Sequence, residues 1–123
     1  MSEPMISKEF VDYFEAPVGT QPTVRWFVCE EMSVYVRRNC VCIEGEFRPM
    51  MQVASVVVED EFRGQGLFTR FMAKLFEMKL GAYEGVYVEN VLNDDFQDWF
   101  RDRGWNEITY GHVNVCSYWK EWV

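Results

Sequence analysis

A chain of 123 residues with 49% apolar and 17% aromatic side chains is long enough to bury a core and too apolar to stay disordered. Its 20 acidic against 12 basic residues give a formal charge of −8. That field repels a phosphate backbone, so no nucleic-acid partner is expected, whereas a cationic amine or basic peptide would be attracted. No apolar run is long enough to span a bilayer, and Met1-Ser2-Glu3-Pro4 lacks the character of a signal peptide. The expectation is one domain over residues 1–123, cytoplasmic and without a membrane partner.

The first segment places Ile6, Phe10, Tyr13 and Phe14 at helical spacing, with Ser7, Lys8, Glu9 and Asp12 off that face, so a short amphipathic helix is expected. Ala16-Pro17 begins a loop. Three strand-like runs follow at 24–29, 33–37 and 40–47, with turn chemistry at Asn39 and Glu44-Gly45-Glu46. Cys40 and Cys42 would share one strand face. Together with Cys29, Cys116 and the lone His112 they show no metal-knuckle spacing, so buried reduced thiols and no metal are expected.

The run from Gln52 to Val58 is nearly continuous in apolar residues, as in a central strand covered on both faces. Met50-Met51 before it suits the core or a cleft wall. A helix is expected from about Gly66 to Leu80, with Leu67, Phe71 and Leu75 on one stripe and Phe68, Met72, Phe76 and Leu80 beside it. Gly81 would cap it. A second interior strand spans 85–91. Asn93 then opens a helix that turns Phe96, Trp99 and Phe100 inward and ends at Gly104. Two strands close the chain and meet near Gly111-His112. The fold class is α/β, with a mixed, mostly antiparallel central sheet and flanking helices.

The segment Arg63-Gly64-Gln65-Gly66 stands between a strand and a helix. The helix N-terminus supplies unpaired N–H groups and partial positive charge, the glycines remove Cβ atoms, and Arg63 adds a fixed charge. Together they suit a phosphate. No Gly-Lys-Ser/Thr follows, and the spacing is not that of a dinucleotide-binding turn. The same residues also suit a plain tight turn with Arg63 in solvent.

Val-Val-Val-Glu-Asp-Glu-Phe-Arg-Gly-Gln-Gly-Leu-Phe, residues 56–68, resembles motif A of the GNAT N-acetyltransferase superfamily, and residues 93–105, closing on Gly104-Trp105, resemble its motif B. The resemblance implies a GNAT fold that uses acetyl-CoA as co-substrate. It implies that the backbone of Val56, Val57 and Val58 pairs with the acetyl-pantetheine arm, that the amides of Arg63, Gly64, Gln65, Gly66, Leu67, Phe68 and Thr69 surround the pyrophosphate, and that Asn93 contacts the coenzyme. The strands of Val58 and Val88 would splay apart to admit it.

Two positions depart from the family pattern. Phe68 stands where a small residue is usual, and its place on the stripe with Met72 and Phe76 turns it toward the core. Phe100 stands where a tyrosine often serves as general acid. Tyr87, Tyr110, Tyr118 and Cys116 are the candidates left for that role. Glu89, on the strand beside the cofactor strand, is the expected base, with Glu59 as runner-up. Two functions follow. One is acetyl transfer from acetyl-CoA to a primary amine by direct attack; the other is a GNAT-fold binding or regulatory module of little or no activity. Trp119 and Trp122 are candidates for a homodimer contact.

Overall fold

The computed structural model describes residues 7–17, 19–38, 40–91, 94–110 and 113–122. Ile6, Asn39, Asn93, Gly111 and His112 lie outside these, and the expectations placed on them stay there. Helix α1 spans Lys8–Glu15, and the Ser7 hydroxyl accepts from the Phe10 N–H at its start. Its buried face, Phe10, Tyr13 and Phe14, packs edge-on or tilted against Phe27 and Phe71.

Strands β1 (Val24–Val28) and β2 (Met32–Arg37) follow, then β3 (Cys40–Ile43) and β4 (Glu46–Val58). The run expected at 40–47 is therefore two strands. Glu44 and Gly45 both take positive φ (53° and 84°), which matches the twist a tight hairpin needs. After a 3-10 turn at Asp60–Phe62 come α2 (Leu67–Glu77), β5 (Gly85–Val91), α3 (Asp94–Asp102), β6 (Asn106–Tyr110) and β7 (Val113–Glu121).

The sheet runs β1-β2-β4-β5-β7-β6, with β3 paired to β4. Among the described residues β4 and β5 pair in parallel, joined by the α2 crossover, and the other pairs are antiparallel. All three helices bury their apolar faces in one cluster with Val34, Val36, Met51, Val53, Val86 and Val88. On the opposite face Ile43, Met50, Tyr87 and Trp119 form a smaller cluster. Met50 and Met51 thus both belong to the core, one on each face.

Cys116 is buried and Cys29 half-buried, but Cys40 and Cys42 are exposed. The expectation of buried thiols fails for these two because Val41 and Ile43 take the inward positions of β3, which leaves 40 and 42 to solvent.

Helix α2 ends earlier than expected. Lys79, not Gly81, takes the left-handed conformation (φ 44°), and Met78 and Leu80 pack against the core instead of continuing the helix. Helix α3 ends as its sequence implies. Gly104 has φ 75° and bonds back to Arg101 O, Trp105 N–H reaches Phe100 O, and the Trp105 and Phe100 rings meet at 5.0 Å. This is a Schellman closure with its hydrophobic contact.

Candidate active-site groove

The two central strands each carry a bulge at the same level. On β4, Val36 pairs with Val53 and Tyr35 with Ser55, so Ala54 is the extra residue. On β5, Val88 pairs with Tyr118 and Val91 with Cys116, so one residue of the 89–90 pair is extra. Each bulge shifts the alternation by one: Met51 and Val53 face the helices before it on β4, Val56 and Val58 after it, and on β5 Val86 and Val88 give way to Val91.

A bulge bends its strand and ends regular pairing. Pairing of β4 with β5 runs from Met50↔Gly85 to Val53↔Val88 and stops there, while both strands continue. A groove of about 720 Å³ opens between them. Its walls include β4 residues 53–58, Val88, Glu89 and Val91 of β5, the start of α2, and Phe96 and Trp99 of α3. From Ser55 to Val58 β4 is held by β2 alone, which leaves its other edge facing the groove.

The groove ends at the glycine loop. Gly64 and Gly66 have φ of 79° and 76°, a region glycine enters at little cost. Arg70 carries the first amide whose acceptor, Gly66 O, completes a helical bond, so the Leu67, Phe68 and Thr69 amides precede the helix's own acceptors. No side chain caps this end. A Cβ on Gly64 would meet nothing within 4 Å, and one on Gly66 only Arg70 Nη1 at 3.4 Å.

Arg63 donates through Nε to Val58 O (3.2 Å) and pairs with Asp60 (3.3 Å), with its side chain two-thirds exposed. Gln65 is exposed and outside the walls, its amide reaching Glu61 O. Arg70 donates to Gln65 O at 2.7 Å and so pins the loop from within the helix. Arg70 was not among the residues expected at the phosphate. Its position four residues after Gly66, one turn into the helix, is the signal that could have found it. Phe68 is buried and stacks on Phe96 at 4.1 Å, edge-on to Trp99 and Phe100, so its ring ties α2 to α3.

Glu89 lines the groove, and its Oε1 accepts from Arg37 Nη1 at 2.5 Å, across β4. Tyr87 belongs to the cluster on the opposite face of the sheet, and Glu89, two residues further along β5, keeps that facing. Glu59 is exposed and not among the walls, because the chain leaves β4 there and bonds back to Glu31. Phe100 is fully buried and stacked on Tyr118, whose hydroxyl donates to Glu107. Burial and that bond push the Tyr118 phenol well up. The hydroxyl hydrogen bond and Arg101 in turn hold the Glu107 carboxyl below its usual range. Tyr118, Tyr87 and Cys116 all lie outside the groove walls, and the Tyr110 side chain is outside the described atoms.

Trp99 was expected to be packing alone. It packs, but it also lines the groove, and its indole Nε1 is buried with no hydrogen-bond partner among the described residues. Buried donors are rarely left so, which marks the position as one that an acceptor atom would complete.

Several solved structures share the fold. An acetyltransferase from Thermus thermophilus superposes with a TM-score of 0.61 over 84% of this chain and 67% of its own, at 15% identity. The chain has a GNAT-like fold. Among the GNAT-fold neighbours, a mutant of the toxin AtaT bound to the C-terminus of the antitoxin AtaR and to acetyl-CoA matches with a TM-score of 0.50, at 16% identity. The match covers 72% of this chain and 58% of the toxin. A KacTA–DNA complex matches with a TM-score of 0.57 over 94% of this chain and 81% of its own, at 14% identity. No family model matches the sequence, and no curated protein does.

These neighbours correct the expectation about partners. The KacTA complex contains DNA, and a further AtaT–AtaR structure is also bound to DNA. GNAT folds therefore stand in assemblies with nucleic acid and protein, and the expectation of a cationic amine and a possible homodimer with nucleic acid excluded does not hold. Net charge sums over the whole surface and does not say what one face, or a bound protein, presents. As for membranes, no helix among the described residues is long and apolar enough to cross one.

Proposed function

We propose that the chain is an N-acetyltransferase that takes an acetyl group from acetyl-CoA and delivers it to a primary amine. The observation that carries this reading is the groove itself, which opens where paired bulges part β4 from β5 and ends at a helix N-terminus entered through two left-handed glycines.

The donor set fits the coenzyme. The β5-facing edge of β4 at Val56, Val57 and Val58 offers N–H and C=O groups to an amide-bearing arm, as another strand would. The Leu67, Phe68 and Thr69 amides, with Arg63 and Arg70 beside them, suit a pyrophosphate. Trp99 Nε1 is a donor awaiting an acceptor. Bound there, acetyl-CoA would supply an activated thioester carbonyl. A β4 amide would hold the carbonyl oxygen. Glu89, steadied by Arg37 on one oxygen, would take the proton from the acceptor ammonium directly or through a water.

A second reading, a GNAT-fold module that binds a macromolecular partner with little turnover, is favoured by one observation. Among the described residues the groove walls hold no phenol, imidazole or thiol to protonate a departing thiolate. A thiol-release assay with acetyl-CoA and a panel of amines separates the two. Turnover that falls roughly 10²-fold in Glu89→Gln supports transfer with Glu89 as base. Absence of turnover with coenzyme binding intact supports the module.

A further inference from the structure

One face of the sheet leads straight to the groove and is not used by the coenzyme reading. Phe27, Val34 and Val36 point into the helix-side cluster, so Trp26, Tyr35 and Arg37 point to the opposite face. Trp26, Tyr35 and Ser55 are partners in register across β1, β2 and β4, and form one row. The row stops at the groove, with Ser55 on its near wall and Glu89 on its far wall.

The Trp26 and Tyr35 rings lie 5.0 Å apart at 39°, and Trp26 remains 47% exposed. A large indole on an edge strand, half open and held at a fixed angle by its neighbour, is a built π surface. Arg37 is the next residue on the same face of β2 after Tyr35. Its guanidinium is 5.8 Å from the Tyr35 ring centroid and bonds Glu89. Arg37 thus fixes the carboxylate relative to the aromatic pair. Adjacent strands are roughly 4.8 Å apart, so from Ser55 at the groove it is about 5 Å to Tyr35 and about 10 Å to Trp26.

We infer that this row is the acceptor subsite, and that it selects a primary amine joined by a short flexible link to a planar aromatic ring. The ring stacks on Trp26 and Tyr35, and the ammonium sits at Ser55 and Glu89 where the groove opens. The charge complementarity is local: one carboxylate at the amine end, an apolar π surface at the other. A carboxylate offers about four acceptor positions and Arg37 engages one oxygen, which leaves room for the ammonium. The assignment rests on the groove as the place of reaction, and deepens that reading by naming the acceptor's class.

The test uses the full chain without coenzyme, so that its outcome is separate from coenzyme binding. 3-Phenylpropylamine and hexylamine, similar in length and charge, are titrated in turn and followed by NMR on the tryptophan indole signals. The aryl amine should bind about tenfold tighter and move the Trp26 signal. Trp26→Leu, which keeps an apolar side chain on the strand, should abolish the preference, and Trp26→Phe should retain most of it. Glu89→Gln should weaken both amines alike. Equal affinities, no binding by either amine, or a preference that survives Trp26→Leu would overturn the assignment. Coenzyme binding and thiol release, measured separately, report on the transferase reading alone.

Discussion

Phe100 and Tyr118 lie face to face, their ring centroids 4.7 Å apart and their planes 8° from parallel, in the part of the core where α3 meets β7. The phenol at this spot is thus on the strand, not on the helix, and it is committed to Glu107. Restoring a helix hydroxyl with Phe100→Tyr puts a polar group on a fully buried ring packed among Phe68, Trp99, Trp105 and Tyr118. The variant should lose about 1–3 kcal/mol of stability, read as a fall in Tm, with acetyl-CoA affinity unchanged. A gain in thiol release would show instead that the hydroxyl reaches the reacting centre.

Gly66 is the loop position most sensitive to a side chain. Gly66→Ala costs roughly 1–2 kcal/mol for a left-handed alanine, and it places a methyl group beside Arg70 at the cradle. Acetyl-CoA should bind about tenfold more weakly. Gly19→Ala is the control. Its φ is 89° and its Cβ would meet nothing, so stability should fall comparably with coenzyme affinity intact.

Trp99→Phe keeps the packing ring and removes the unpartnered donor. The free protein should be as stable as the parent or slightly more so, since a buried donor without a partner is itself a cost. Acetyl-CoA affinity should fall about five- to tenfold if a coenzyme oxygen completes that donor. Calorimetry on both proteins reads the difference, and equal affinities would leave Trp99 a packing residue only.

The Tyr118–Glu107 pair gives a pH signature. The Glu107 carboxyl is held low by the Tyr118 hydroxyl and then by Arg101, so its stabilising effect is complete above the ordinary glutamate value near 4.5 and disappears as pH falls through the depressed folded value. The Tyr118 phenol is raised, so its effect is complete below its ordinary value of 10 and is lost as pH rises beyond that. Tyr118→Phe should cost about 1–2 kcal/mol at pH 7. The Tm gap between parent and variant should narrow below pH 4.5 and above pH 10. A gap independent of pH would contradict the pairing.

Much of this was legible in the sequence. Helical spacing gave the buried faces of α1, α2 and α3, and Gly104-Trp105 announced the closure of α3, because each of these is a local rule. The bulges were not legible. Residues 53–58 are valine-rich on both faces, so a one-residue shift at Ala54 leaves no break in the pattern. Trp99 read as core because a helix face that packs and a helix face that also borders a groove have the same spacing. Cys40 and Cys42 share a face as expected, but which face is inward was decided by Val41 and Ile43.

Titration calorimetry of the purified chain with acetyl-CoA tests the coenzyme groove most directly. One site per chain is predicted, weakened in Arg63→Ala by about 1–3 kcal/mol, as expected for a charge-assisted hydrogen bond to a phosphate. No heat and no thermal shift at saturating acetyl-CoA, or binding indifferent to Arg63→Ala and Gly66→Ala alike, would contradict it.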